Sequence, residues 1–239
     1  MFIWLASYPK SGNTLLRSIL ATYFFSNDGN FNFNHLYKIG QFPNVNTFLK
    51  LGLDISNENK IFENYIKAQS EVINSDKNLK FLKTHSSFVK INNCNFTDHK
   101  NTAGAIYVVR DPRNVATSLS HHMGIDEDKA VNIMLNNKEI IPKTDKTTKT
   151  FLGSWQVNYN SWKNLNSKTM LIKYEDLIVK KKTLMIKVFK HFNKLGVYNS
   201  KLNMVKLNKS LKSTEFKKMQ FLEKAQDFTE AMIDQKTGT

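Results

Sequence analysis

The stretch Tyr8-Pro9-Lys10-Ser11-Gly12-Asn13-Thr14 joins an apolar run, Phe2 to Ser7, directly to a segment of helical periodicity that begins near Asn13. A strand entering a helix through so short a turn puts free backbone N–H groups, hydroxyls and an ammonium at one point. The first turn of a helix has unpaired donors and the positive end of the helix dipole, so the junction is an anion cradle. Ser, Gly and Thr keep it small enough for a phosphate to reach the backbone, and Lys10 adds a full charge. A plain strand–helix turn with an exposed lysine is the competing reading. A Walker A loop is excluded, because its Lys directly follows the last Gly, whereas Lys10 precedes Gly12.

The 239 residues suit one domain spanning 1–239 with a full core. No stretch is long and apolar enough to span a membrane. Because Phe2 to Tyr8 runs straight into the anion turn, it reads as a core strand rather than a leader segment. The lone cysteine, Cys94, excludes an internal disulfide framework and points to a reducing, cytoplasmic setting. A net charge of +15 calls for an anionic ligand or surface. Lysine supplies nearly all of it, which makes Arg17, Arg110 and Arg113 more informative. Arg offers phosphate oxygens a rigid fork that Lys cannot reproduce.

Apolar spacing predicts a helix over 14–25, then an irregular Asn-, Gly- and aromatic-rich loop over 26–45 that could serve as a substrate lid. Helices are expected at 46–51 and 58–74, a short strand at 80–85 and a polar loop at 92–103. Ala105 to Val109 reads as a strand buried on both faces of a parallel sheet. Asp111-Pro112 then starts a helix, with Asp as N-cap and Pro in the first position. Further helices are expected at 112–123, 126–137, 153–165 and 175–193, with a surface loop at 142–150 and a strand at 169–173. The tail, 199–227, is helical in places and basic. This alternation argues for an α/β parallel sheet.

Lys83 and His85 are two apart at a strand end and leave on one face, where open parallel sheets bind ligands. His85 there can act as a general base; a surface His beside a Lys is the plainer alternative. Arg110 closes the buried strand at the same edge. On the next helix Val115, Ala116, Leu119 and Met123 form a stripe toward the sheet, with Asn114, Thr117, Ser118 and His121 opposite. Arg110 and Ser118 could therefore grip a second phosphate, unless Arg110 simply pairs with Asp111. Trp4, Trp155 and Trp162 read as core. His121-His122 lacks a carboxylate or thiolate at ligand spacing, so no metal site is expected.

These residues resemble the sulfotransferases that use 3′-phosphoadenosine-5′-phosphosulfate. YPKSGNTLLRSIL is similar to their 5′-phosphosulfate loop and first helix, and KTH at 83–85 to the segment with their catalytic His. YVVRDPRNVATSLSHH at 107–122 resembles their 3′-phosphate motif. GSWQVNYNSW at 153–162, IKYEDL at 172–177 and EFKKMQFLEK in the tail resemble later blocks, all in family order. The resemblance implies a P-loop-NTPase-like three-layer α/β fold with a central parallel sheet flanked by helices. It implies transfer to a hydroxyl or amine of a small-molecule, lipid or carbohydrate acceptor, with no metal and with nucleic acid disfavoured. It would make His85 the base, Lys10 the stabiliser of the leaving phosphate oxygen and Lys83 an aid at the sulfuryl group. Ser11, Gly12, Asn13 and Thr14 would hold the 5′-phosphate, Arg110 and Ser118 the 3′-phosphate, and Tyr174 would lie near the adenine. The chain departs from the family at Leu15, where an adenine-stacking aromatic often stands, and at Asn158, where His often stands. It continues the resemblance through Phe228, Glu230 and Ala231. The basic-glycine segment that closes over the 3′-phosphate is reduced to Lys236-Thr237-Gly238. That leaves three expectations open: a domain shortened at this end, weak nucleotide binding, or other lysines such as Lys209 and Lys212 in its place.

Two other classes remain in play: a non-catalytic basic module for anionic polymers or nucleotides, and a kinase on a related fold. The first would show steep salt dependence without nucleotide discrimination. The second lacks both Walker A order and an evident pair of Mg²⁺-binding carboxylates.

Overall fold

The computed structural model describes residues 1–74 and 80–225. Across its main sheet the strands run in the order Gly40–Gln41, Lys80–Thr84, Phe2–Ser7, Thr102–Val109, Thr169–Lys173. Every neighbouring pair is parallel. The first strand of the chain is thus the middle of the sheet, and its six residues are buried throughout. Alternation along it divides the core in two. Ile3 and Leu5 face the helices Asn13–Phe25 and Lys181–Lys194, meeting Leu16, Ile19, Phe189 and Phe192. Phe2, Trp4 and Ala6 face the other way, onto Phe42, Phe48, Tyr65 and Trp162. Thr102–Val109 repeats the pattern, with Ile106 and Val108 on the first side and Ala105 and Tyr107 on the second. Two apolar faces per strand require cover on both, which makes three layers. Each fully buried Leu or Ile there contributes about 1.5–3 kcal/mol.

Strand register brings the site together. Ala6 pairs with Thr84, Ser7 with Val108, and Val109 with Lys173. The turn after Ser7, His85, Arg110 and Tyr174 consequently all leave the same carboxyl edge, as the α/β rule requires. Asp111 caps the helix Pro112–Met123, its side chain accepting from the Arg113 N–H.

Several local expectations are corrected. Residues 26–45 contain a helical turn, Phe33–Leu36, capped by Asn32, and the edge strand Gly40–Gln41. Phe31, Phe33, Leu36 and Ile39 are buried there, so the segment is anchored core rather than an open lid. The helix expected over 58–74 is two, Glu58–Glu63 and Tyr65–Asn74, parted at Asn64. The polar stretch 92–103 holds half of a two-residue hairpin, Lys90–Ile91 with Cys94–Asn95, and the start of the strand Thr102–Val109. The segment 153–165 is the helix Trp155–Ser161 running into a 3₁₀ turn, Trp162–Lys168. Residues 175–193 are likewise split, with Lys180 between Tyr174–Val179 and Lys181–Lys194. Met123 is 47% exposed rather than part of the sheet-facing stripe, because Gly124 ends the helix directly after it. Trp4 and Trp162 are fully buried; Trp155 is half-buried, stacked on Tyr159. The readings of Phe228, Glu230, Ala231 and 236–238 lie outside the described residues.

Candidate active site

The turn Tyr8–Thr14 takes its shape from two left-handed residues, Lys10 (φ 63°) and Gly12 (φ 96°). Left-handed turns of this kind make the concave N–H nests that bind anions. Gly12 is also the N-cap of the helix Asn13–Phe25 and has no side-chain cap. A side chain could not be accommodated: a Cβ on Gly12 would strike the Tyr174 ring, 2.7 Å from Cε2 and nearer still to Cδ2. Asn13 turns its side chain away from the loop, donating from Nδ2 to the Leu5 carbonyl (2.9 Å) and the Ser7 hydroxyl (3.2 Å). It ties the helix start to the strand, which leaves only its main chain for an anion. Ser11 Oγ is buried without a hydrogen-bond partner. Thr14 is half-buried at the first helical turn.

Arg110 crosses to this loop. Its Nη1 donates to the Lys10 carbonyl at 2.9 Å, and its guanidinium carbon lies 4.6 Å from the centre of the Tyr174 ring. The expected alternative, an Arg110–Asp111 pair, does not form. Asp111 instead takes Arg113, with Nη2 to Oδ2 at 2.6 Å. The Arg113 hydrogen bonds, from side chain first and then main chain, bring the Asp111 carboxyl down to about 2. Arg110 Nε is buried and has no partner. A buried guanidinium N–H and a buried hydroxyl, both unsatisfied beside a left-handed loop, are the donor set that a phosphorylated ligand would satisfy.

His85 stands on the other side of the loop's root. Its Nδ1 is 2.7 Å from the Ser7 carbonyl and 3.4 Å from Ser7 Oγ. A carbonyl can only accept, so Nδ1 carries the hydrogen, and in the neutral ring Nε2 is the acceptor. The carbonyl of Ser7 was not readable as a site group; the only signal for it is that Ser7 ends the strand next to His85 in register. Lys83 is 8% exposed and is the cross-strand partner of Leu5. Ser118 is half-buried on the helix Pro112–Met123. On the same helix, burial and then the Lys10 charge hold the His122 imidazole below its usual value. His122 therefore feels the anion loop, which its sequence position alone did not indicate. Lys209 and Lys212 line a cavity of about 600 Å³ with Asn30, Phe31, Lys217 and Phe221; the anion loop, His85 and Arg110 do not line it. Among the described residues no His/Cys/Asp/Glu group is arranged to hold a metal, and no helix is long and apolar enough to cross a membrane.

The family model of the sulfotransferase domain matches residues 2–238. Among solved structures, mouse sulfotransferase SULT7A1 complexed with PAP is 19% identical, with a TM-score of 0.53. The alignment covers 91% of this chain and 65% of that one. Retinol dehydratase, in complex with androsterone and inactive cofactor PAP, is 14% identical with a TM-score of 0.50, covering 92% and 66%. The chain thus spans just under two thirds of the length of these structures. At such identities the likeness establishes the fold, a P-loop-NTPase-like α/β sandwich. No curated protein matches.

Proposed function

The chain belongs to the sulfotransferase-domain family, and from that premise we propose that it moves a sulfuryl group from 3′-phosphoadenosine-5′-phosphosulfate to a hydroxyl or amine. The acceptor would be a small molecule, lipid or carbohydrate. The observation that carries this reading is the 2.7 Å contact of His85 Nδ1 with the Ser7 carbonyl. With Nδ1–H committed to the Ser7 carbonyl, Nε2 is the basic nitrogen, at the sheet edge that also presents the Lys10–Gly12 loop and Arg110.

The nucleotide supplies the sulfuryl group and a phosphate leaving group. The main-chain amides of Ser11, Gly12, Asn13 and Thr14, with the Ser11 hydroxyl, would hold its 5′-phosphate. Arg110, through Nε, and Ser118 would take the 3′-phosphate, and Tyr174, already stacked by Arg110, would lie beside the base. His85 Nε2 accepts the acceptor's proton as the acceptor oxygen or nitrogen bonds to sulfur. The bond from sulfur to the bridging phosphate oxygen breaks, and its electron pair stays on that oxygen. Lys10 stabilises the developing charge there, and Lys83 assists at the sulfuryl oxygens. Positioning and preorganised charge do most of the work.

The direct test is release of 3′-phosphoadenosine-5′-phosphate on incubating the protein with the phosphosulfate and a panel of one phenol, one alkanol, one sugar and one amine. Release that depends on at least one acceptor is expected. No acceptor-dependent release across such chemically varied panels would count against the reading.

A further inference from the structure

The four residues that follow the strand Lys80–Thr84 are fastened one by one to the segment 151–162. The His85 carbonyl accepts from Asn158 Nδ2 at 2.9 Å, and the Ser86 carbonyl from Trp162 Nε1 at 3.0 Å. Ser87 donates its N–H to the Phe151 carbonyl and its hydroxyl to that of Leu152. The Phe88 N–H goes to Ser161 Oγ at 2.8 Å. Of these bonds only the one from Asn158 reaches His85 itself.

Asn158 is fully buried on the helix Trp155–Ser161, and every polar hydrogen of its amide is used. Nδ2 donates to His85 O and to Leu152 O, each at 2.9 Å, and Oδ1 accepts from the Tyr107 hydroxyl at 2.8 Å. Two carbonyls on one side leave the amide a single orientation, with NH₂ toward them and oxygen toward the phenol. Burial pushes the Tyr107 phenol up, so it stays protonated and remains a donor. The amide thus spans the sheet at Tyr107, the loop at Leu152 and the backbone of His85. Losing it would remove the 2.9 Å bond that ties the part-buried His85 carbonyl to the helix Trp155–Ser161, and let that peptide turn toward another donor.

We propose that Asn158 is a positioning residue: by holding the His85 carbonyl it fixes the peptide that aims the imidazole, and so keeps Nδ1–H on Ser7 and Nε2 toward the acceptor. This rests on the role of His85 proposed above. It assigns the helix Trp155–Ser161 a part in the reaction without any contact to the reacting atoms. The hydroxyl of Ser161, which accepts from the Phe88 N–H and donates to the Asn158 main-chain carbonyl but touches neither the Asn158 amide nor His85, provides a control on the same helix.

The test is ¹⁵N NMR of the imidazoles, with the His85 resonances identified by their loss in His85→Ala. The wild-type protein should show His85 chiefly as the Nδ1–H tautomer, and Ser161→Ala should keep it. Asn158→Ala should move His85 toward the Nε2–H form that imidazoles ordinarily favour; Asn158→Ser, which keeps one donor, serves if the alanine variant does not fold. With 2-naphthol as acceptor, Asn158→Ala should lower kcat about 10- to 100-fold, the scale of a misaimed group, with little change in KM. In the His85→Ala background it should add nothing further. A wild-type ring that is already Nε2–H would overturn the base reading itself. A wild-type Nδ1–H ring that is unchanged in both Asn158 variants would overturn the positioning role alone.

Discussion

Replacing His85 with alanine is expected to lower turnover about 10²- to 10⁴-fold, the contribution of a well-placed general base. Affinity for 3′-phosphoadenosine-5′-phosphate should stay within about twofold, since single contacts outside a binding site contribute little to it. The division follows from the geometry. The imidazole touches Ser7, at the root of the anion loop, whereas the contacts proposed to hold the nucleotide run through Lys10, Gly12, Arg110 and Tyr174. Steady-state turnover and calorimetry on the same preparation separate the two effects. Turnover within a few-fold of the wild type would remove His85 from the mechanism.

Arg110→Ala should do the opposite, weakening the bisphosphate by about 10- to 100-fold. A hydrogen bond to a charged group is worth about 1.5–3 kcal/mol, and each 1.4 kcal/mol is tenfold in Kd. The substitution also removes the 2.9 Å bond to the Lys10 carbonyl and the packing on Tyr174, so the loop loses a brace as well as a ligand group. Arg110→Lys should recover little, because an ammonium cannot hold the Lys10 carbonyl and a phosphate with one fork. An unchanged Kd in the alanine variant would remove the second phosphate site.

Much of this could be read from the chain because strand ends are conspicuous. Phe2–Ser7 and Ala105–Val109 are apolar on both alternations, which only a sheet covered twice can bury. Placing Lys10, His85 and Arg110 at the ends of such runs put them at one edge before any partner was known. The Asp111-Pro112 helix start was equally plain, since cap and first position are local chemistry. What the sequence hid was settled by distant contacts. Residues 26–45 read as a loop because Asn and Gly interrupt their period. Yet Phe31 and Phe33 are buried, and Ser213 from far along the chain accepts from the Phe31 N–H and donates to the Gly29 carbonyl. The partner of Arg110 was equally hidden: the adjacent Asp111 was the near choice, and the carbonyl of Lys10, a hundred residues away, was the true one. Asn158 stood out in the sequence only as a residue in a place where His often stands; its role was hidden, because a buried amide is recognisable only by the three groups it joins.

The measurement that bears most directly on the account is calorimetric titration with 3′-phosphoadenosine-5′-phosphate, set against 5′-ADP and ATP at one ionic strength. The Lys10–Gly12 loop and Arg110 together should make the 3′,5′-bisphosphate bind clearly tighter than either of the others. Equal, weak and steeply salt-dependent binding of all three would contradict it and return the +15 charge to a general affinity for anions.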